Sequence, residues 1–504
     1  MESSSCMQNR SLSQYAASTS LLTSRHAIQR PLTSCRVTGR AHLRGNGRNS
    51  SIKERIASVA ALPDSTEVVI VGAGMAGLSC GYHLQKAGVG FTILESSEGV
   101  GGRVQTDEMD GFLLDRGFQI FLTSYQEAQA LLDYQSLDLK PFYAGASVRW
   151  NGGFHRVADP LRHFADGLWS LFNPVGSPLD KALVGLYRLK SLLKTPDAIF
   201  QSPEATTHAR LKAEGFSDAI VDRFFRPFLG GIFFDRELQV TSRLFEFVMR
   251  CLATGENCLP AAGIGAVARQ LAAQIPPGSI HTGARVQSVT GPLPGKPGQV
   301  KVAGGQVVSA SQAVVVATEG PAARALLGDA LTALDSKTQE GVGTANLYFR
   351  APRAPREENM LYLNGESSGL VNNACFPSTV APSYAPAGQA LVSLSTIGTQ
   401  PGMSDDELAE KCKAEMAQWF GAEEVASWQL LRIYRIPFAQ PDQAPPTDLS
   451  RAVNLTNGLF VCGDHRDTAT LDGALKSGRR AAEAVLAATA ALPVSSREAV
   501  GTTV

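Results

Sequence analysis

The residues with the clearest chemical meaning are Gly72-Ala73-Gly74-Met75-Ala76-Gly77, a G-x-G-x-x-G run behind an apolar stretch. Gly72 permits a tight turn, Gly74 lets backbone approach an anion, and Gly77 lets a helix pack closely on the strand before it. The first turn of that helix has unpaired N–H groups and the positive end of the dipole, a ready seat for a pyrophosphate. Glu95 follows Gly72 by 23 residues, at the end of the next apolar run. A carboxylate there accepts hydrogen bonds from ribose hydroxyls and repels a 2′-phosphate, which disfavours NADP. The fingerprint alone does not separate NAD from FAD.

A second group of residues does. Gly101-Gly102-Arg103 makes a glycine turn bearing a guanidinium where an NAD dehydrogenase would proceed to its next helix. Such a turn can run back across a pyrophosphate, with Arg103 donating to the anion or to a nearby carboxylate. A surface turn with a solvated arginine is the plainer alternative. Asp115-Arg116-Gly117-Phe118-Gln119 then offers a close backbone approach at Gly117 and amide groups for the polar edge of a flat ring. At the far end, Gly463-Asp464 closes an apolar strand, and Leu471-Asp472-Gly473-Ala474 opens a helix whose dipole can stabilise charge on a reduced flavin. Asp464 can accept from a ribityl hydroxyl. Val286 can offer backbone groups to an adenine, and Ala317-Thr318 ends a strand near the same nucleotide.

These residues need elements to hold them. "STEVVIV", 65–71, reads as a buried strand, 75–87 as a helix ended by Gly88, and 89–95 as a second strand, a βαβ opening. Residues 161–193 read as mostly helical, with Leu183, Leu186, Tyr187 and Leu193 at helical spacing and Arg188, Lys190 and Lys194 between them. "RPFLGGIFFDREL", 226–238, reads as a turn leading to a helix, and 263–275 as a helix. Two strands are expected on either side of a Pro/Gly-rich loop at 291–299. Residues 340–400 alternate as antiparallel strands do, and 437–448 reads as extended or loop. A buried strand over "GLFVCGD" and a closing helix from Leu471 finish the fold.

At 504 residues the chain is too long for one core, so two lobes are expected. The fold class is α/β: a Rossmann-like, doubly wound parallel sheet interleaved with a mixed α+β substrate domain. The first would use 61–124, 256–330 and 436–492; the second would use 125–255, mostly helical, and 331–435, antiparallel strands. Residues 1–50 hold seven Arg, no Lys and one acid, against a net charge of zero overall. That composition, rich in Ser and poor in acids, is that of a transit peptide over 1–60, for a plastid rather than a mitochondrion; a basic tail is the alternative. Residues 493–504 read as a disordered tail. No nucleic-acid binding is signalled. No apolar run is long enough for a membrane span. The eight cysteines form no C-x-x-C, so neither a metal site nor a redox dithiol is expected.

Gly72–Gly77, Glu95, Gly101-Gly102-Arg103, the Asp115-x-Gly117 element, Arg285-Val286, "AVVVAT" and "FVCGD…LDGALKSG" together resemble the flavin-containing amine oxidase superfamily. "RFFRPFLGGIFF", "LPAAGIGAVARQL" and "IPFAQP" resemble its phytoene desaturase-like and protoporphyrinogen oxidase-like branch. The resemblance implies non-covalent FAD, two interleaved lobes and an enzyme that accepts a hydride from a C–H or C–N bond. Covalent attachment in some members uses a cysteine near the C-terminal motif; Cys462 is read as packed in its strand. The aromatic pair and lysine of the amine oxidases are not assignable, and His465-Arg466-Asp467 stand where the aromatic walls would be sought. Those three are the only candidates for catalytic residues, against a solvated or ion-paired loop. Helices rich in Phe and Leu suggest a small lipophilic substrate of the isoprenoid or tetrapyrrole class and a membrane-facing mouth, against ordinary core. Three alternatives stay open: a redox-neutral polyene isomerase, an amine oxidase, and a non-catalytic flavin-binding protein.

Overall fold

A computed structural model describes residues 61–159, 161–332, 340–456 and 458–490. The segments read as a transit peptide and as a C-terminal tail lie outside the described residues.

The strand Ser65–Val71 forms as expected and is the centre of a seven-stranded sheet. Phe91–Leu94 and Ile280–His281 extend it in parallel on one side, and Val307–Val316 pairs with it in parallel on the other. Leu459–Val461 lies parallel to the last residues of Val307–Val316. These strands are almost continuously apolar because both faces are covered: Val68 and Ile70 pack with helix residues such as Leu78 and Leu475, and Val69 and Val71 with Val300, Val302 and Val308. The sheet is not wholly parallel. Val286–Thr290, Gly298–Val302 and the start of Val307–Val316 form an antiparallel ribbon. Its middle strand begins inside the segment read as a Pro/Gly loop; Val300 and Val302 point inward at every second position and define it.

Helix Met75–Lys86 rises from the first strand and packs along the closing helix Leu471–Ala490. The contact is close: Ser79 Oγ donates to the Leu475 carbonyl at 2.7 Å, and a Cβ on Gly478 would land on the Ala76 carbonyl oxygen.

The second seven-stranded sheet runs in the order Gln429–Pro441, Gly341–Ala351, Ala390–Ile397, Val371–Cys375, Leu361–Asn364, Gly145–Trp150, Gly153–Ala158. Only Leu361–Asn364 with Gly145–Trp150 is parallel. Strand Gln429–Pro441 runs straight through the boundary expected at 435/436, and 125–255 contributes strands as well as helices. "IPFAQP" is therefore strand, the extended alternative, as far as Pro441.

Residues 226–238 depart most from expectation. Arg226–Phe233 is a helix, entered through a π-turn at Val221–Phe225. Pro227 sits in its first turn, where a missing N–H costs nothing. Phe225, Leu229 and Phe233, four residues apart, are all buried and outweigh the two glycines between them. Phe234 ends the helix in the left-handed region, φ 53°. The helices Phe164–Ser170 and Pro178–Leu193 form as expected, but Leu186 and Leu193 face outward; Tyr187 and Ser191 are the buried side.

Candidate functional site

One cavity of about 910 Å3 touches both sheets and the helices between them. Its walls begin at the glycine turns. Gly72, Gly74, Met75 and Ala76 line it. A Cβ at Gly74 would meet nothing within 4 Å, so the turn presents bare backbone to open space, a cradle of the kind a phosphate needs. Gly77 does not line the cavity; a Cβ there would strike the Gly72 carbonyl oxygen, so its role is to let the helix close on the turn. Ala73 is also set back. Its N–H donates to Glu95 Oε2 at 2.7 Å.

Glu95 is buried yet lines the cavity. Its Oε1 accepts from the Ser97 N–H and hydroxyl, each at 2.8 Å. The carboxylate is thus fixed by the fingerprint turn on one side and its own following turn on the other.

Gly101-Gly102 lies directly against the fingerprint. The Gly101 N–H donates to the Ala73 carbonyl at 2.8 Å, and Gly74 and Gly101 form a parallel bridge. Gly101 holds φ 110° with the Val104 carbonyl and Ala268 pressed against its Cα, a place for no other residue. Arg103 lines the cavity and makes the carboxylate contact. Its guanidinium donates to Asp464 Oδ1 at 2.7 Å and to the Ala439 carbonyl at 2.8 Å. One arginine therefore ties the second glycine turn to the C-terminal motif and to strand Gln429–Pro441.

Arg116, Gly117, Phe118 and Gln119 all line the cavity. The Arg116 guanidinium turns away to Asp107 at 2.9 Å. The Gln119 amide nitrogen is committed to the Arg103 and Arg116 carbonyls, at 2.8 and 3.0 Å, so it braces the loop. Beneath them Asp115 is buried. It accepts from Thr106 Oγ1 at 2.6 Å, the Ile264 N–H at 2.9 Å and the Tyr384 hydroxyl at 2.8 Å, and burial pushes its carboxyl up to about 6. Tyr384 belongs to the second lobe, so Asp115 pins the two lobes together below the loop. The hairpin carrying Asp115 turns at Asp110-Gly111, both with positive φ. That Asp-Gly between alternating runs was a hairpin signal the sequence reading passed over.

Val286 and Thr318 also line the cavity, and the buried Thr318 hydroxyl has no partner among the described residues. Gly463, Asp464, Leu471 and Ala474 complete the cradle. Gly473 is set back; its N–H donates to Thr470 Oγ1, and its Cα fits under the Thr468 carbonyl. Asp472 also turns inward and accepts from the Glu127 and Ala128 N–H groups, at 2.9 and 3.1 Å.

His465, Arg466 and Asp467 do not line the cavity. All three are buried, not solvated. His465 Nε2 faces the Thr318 carbonyl at 3.2 Å, and burial lowers its pKa to about 4. Arg466 donates to the Ala452 carbonyl, and Asp467 faces Lys476 and Arg480. They brace the turn from behind and do not reach the space a substrate would fill. Cys462 is fully buried directly after strand Leu459–Val461, outside the cavity, with its thiol pushed up to about 12 by burial.

The remaining walls were not assigned from sequence. Some, Glu319, Ala322 and Leu326 among them, adjoin Thr318; the others of most interest come from 120–145, 228–257 and 344–440 and include Phe142, Tyr143, Phe228, Phe233, Phe234, Val248 and Ile436, with Asn257, Thr344, Asn373 and Gln440 as polar groups. No Asp, Glu, Lys, Arg or His occurs in the lining from those three segments. Asn257 Oδ1 is buried without a donor among the described residues. Among the described residues no cluster of His, Cys, Asp or Glu could hold a metal ion.

The flavin-containing amine oxidoreductase family model matches residues 75–486. Along 455 residues the chain is 26% identical to a hydroxysqualene dehydroxylase of Rhodopseudomonas palustris, covering 84% of this chain and 99% of the relative. A stretch of 85 residues is 56% identical to an L-amino-acid oxidase of Bungarus fasciatus, 16% of each chain. Among solved structures, a putrescine oxidase bound to putrescine superposes with a TM-score of 0.61 at 16% identity, covering 84% of this chain and 99% of the other.

Proposed function

This chain belongs to the flavin-containing amine oxidoreductase family, and we propose that it holds FAD without a covalent bond and oxidises a lipophilic substrate of the isoprenoid or tetrapyrrole class. The observation that carries the substrate class is the uncharged lining contributed by 120–145, 228–257 and 344–440. An amine is a cation at neutral pH, and burying it there would leave it without a carboxylate partner. An apolar chain or ring system loses only water. Similarity over most of the chain to a protein named for a hydroxylated squalene supports the isoprenoid side of this reading.

The residues present fit FAD. Glu95 would take ribose hydroxyls, the Gly72–Ala76 turn the pyrophosphate, Val286 the adenine, and the start of helix Leu471–Ala490 the polar edge of the ring. Thr318 would find there the partner its hydroxyl lacks. Among the described residues no cysteine lines the cavity, which supports a non-covalent cofactor. Bound FAD supplies a two-electron acceptor for a substrate C–H bond. The chain's own contribution is to orient the substrate against that acceptor and to exclude water; no acid or base is required of it. Asn257 Oδ1 is placed to accept a hydrogen bond from a hydroxyl on an otherwise apolar substrate. The composition of residues 1–50 supports import into a plastid, checked by fusing residues 1–60 to a fluorescent reporter.

The test is an anaerobic titration of the purified full chain. Its yellow colour should pass into solution on acid precipitation. Isoprenoid or tetrapyrrole donors should bleach it; amines should not. A colourless protein that takes up no added FAD sinks the cofactor. Bleaching by amines alone sinks the substrate class. Conversion of a polyene only after chemical reduction, with no net electron use, would replace oxidation by isomerisation.

A further inference from the structure

Strand Val371–Cys375 is buried at every position, yet two neighbouring residues in it are asparagines. Val371 and Ala374, three apart, pack in the same apolar cluster, which the strict alternation of a strand does not allow. The slip is a bulge: Val371 pairs with Thr396 and Asn373 with Ser395, so Asn372 is the extra residue. A bulge re-aims side chains, and here both amides meet helix Arg226–Phe233. Asn372 Nδ2 donates to the Pro227 carbonyl at 2.9 Å and to Asn373 Oδ1 at 3.0 Å. The helix makes room for them at Gly231, where a Cβ would come within 2.9 Å of Asn372 Nδ2 and 3.0 Å of Asn373 Oδ1. An interior glycine weakens a helix. Asn372 Oδ1 is buried without a partner among the described residues, which is a further cost.

These costs fix one group. Only the amino end of Asn372 can serve the Pro227 carbonyl, and that end then holds Asn373 by its oxygen. Asn373 Nδ2 is left for the cavity, which Asn373 lines while only 3% exposed. It has no partner among the described residues. Holding the helix to the sheet does not need it, since the hydrogen bond from this strand to the helix is Asn372's. Of the other polar wall groups, Gln440 Nε2 donates to the Ile232 carbonyl at 2.8 Å and Thr344 Oγ1 to the Thr396 carbonyl at 2.7 Å.

We propose that Asn373 is a specificity-determining residue whose Nδ2 donates to an oxygen acceptor (a carbonyl, ether or hydroxyl oxygen) on an otherwise apolar substrate, and that Asn372 positions it. The inference rests on the chamber being the lipophilic substrate site. It narrows the substrate from any isoprenoid or ring system to one that carries oxygen. A pure hydrocarbon would displace water and leave the N–H without a partner. An ammonium would meet a donor where it needs an acceptor.

The test is equilibrium dialysis of the purified full chain with tritiated geranylacetone, an isoprenoid ketone, and with the hydrocarbon in which a methylene replaces its carbonyl. A ketone brings no hydrogen to Asn257 Oδ1, and dialysis needs no turnover. The two ligands share one shape, so the ratio of their dissociation constants reports the hydrogen bond. Asn373→Leu should shift that ratio about tenfold towards the hydrocarbon. Asn372→Leu should shift it the same way by about threefold, because the Asn373 amide is then free to turn. In the infrared, the isotope-labelled carbonyl band of the bound ketone should lie below its position in hexane, and Asn373→Leu should return it there. The parent's band serves alone if a variant does not fold. A ratio unchanged by Asn373→Leu, or a parent band at the hexane position, overturns the proposal and leaves the lipophilic chamber standing. A ratio unchanged by Asn372→Leu overturns its positioning role. Binding of neither ligand by the parent overturns the chamber reading and the proposal with it.

Discussion

The two ends of the cavity are built by opposite means. At the glycine-turn end each residue type answers to a local demand: bare backbone at Gly74, an excluded side chain at Gly77 and Gly101, a fixed carboxylate at Glu95. At the chamber end Phe228, Val248 and Ile436 come from three distant segments and are chemically indistinguishable from core residues. The first end is defined by geometry that few residues satisfy, and the second by a volume that many apolar residues could enclose. Substitutions should therefore act on cofactor retention at one end and on substrate selection at the other.

The strongest break in that comparison is Gly74→Val. Its side chain would fill the open space over the turn without touching protein, so folding should survive while flavin affinity falls by at least about 100-fold. Equilibrium dialysis with FAD measures it, and a variant as yellow as the parent would remove the turn from the site. Glu95→Gln should cost about 10-fold to 100-fold, the worth of charge-assisted hydrogen bonds to the ribose.

The same asymmetry explains what could be read from the sequence. The glycine turns, Glu95, Arg103 and the Gly463–Ala474 segment were legible because each motif is contiguous and its residue types are demanded by backbone geometry. Three fingerprint-type positions, Ala73, Gly77 and Gly473, proved to hold the cradle together rather than to line it. A motif records both roles in the same letters. His465-Arg466-Asp467 looked polar enough to be solvated because their buried partners, Thr318, Ala452 and Arg480, are far away in sequence or carried by backbone. The chamber was not legible at all beyond a surplus of Phe and Leu. The helix Arg226–Phe233 was hidden by the Pro and Gly that suggest a turn, although Phe225, Leu229 and Phe233 carry a helical period.

Next in size is the clasp between the two halves of the cradle. Arg103→Ala leaves the Asp464 carboxylate, 8% exposed, without its cation. Since Arg103 itself is about a third exposed, about 2 kcal/mol of stability is at stake rather than the larger cost of a fully buried pair. Arg103→Ala/Asp464→Ala should lose less than the two single variants together, because the pair is removed as a unit. Strict additivity in urea unfolding would mean that the contact carries no energy.

At the chamber end the effects should be smaller and of another kind. Phe228→Ala should lower kcat/KM for the apolar donor about tenfold and leave FAD retention unchanged. Asn257→Leu should raise KM for a hydroxylated donor by about tenfold relative to its deoxy analogue, as a lost hydrogen bond does. Loss of flavin in either variant would abolish the division between the two ends.

A prediction of another kind, read from pH rather than from binding or rate, probes the pin beneath both. Asp115 has a folded-state pKa of about 6, raised by burial from 3.8. Between those values the folded protein keeps a proton that the unfolded chain has lost, so stability falls as pH rises through that window. Above about pH 6 the carboxylate is charged in both states and the loss is complete, at about 3 kcal/mol. Asp115→Asn cannot titrate. The parent's unfolding free energy relative to the variant's should therefore decline from about pH 4 to about pH 6 and then level off. His465 acts in the opposite direction, since its lowered pKa makes acidification costly, but it is present in both proteins and cancels in the difference. A difference that stays flat with pH would mean that Asp115 is ionised throughout, and that its three donors, not its proton, hold the lobes together.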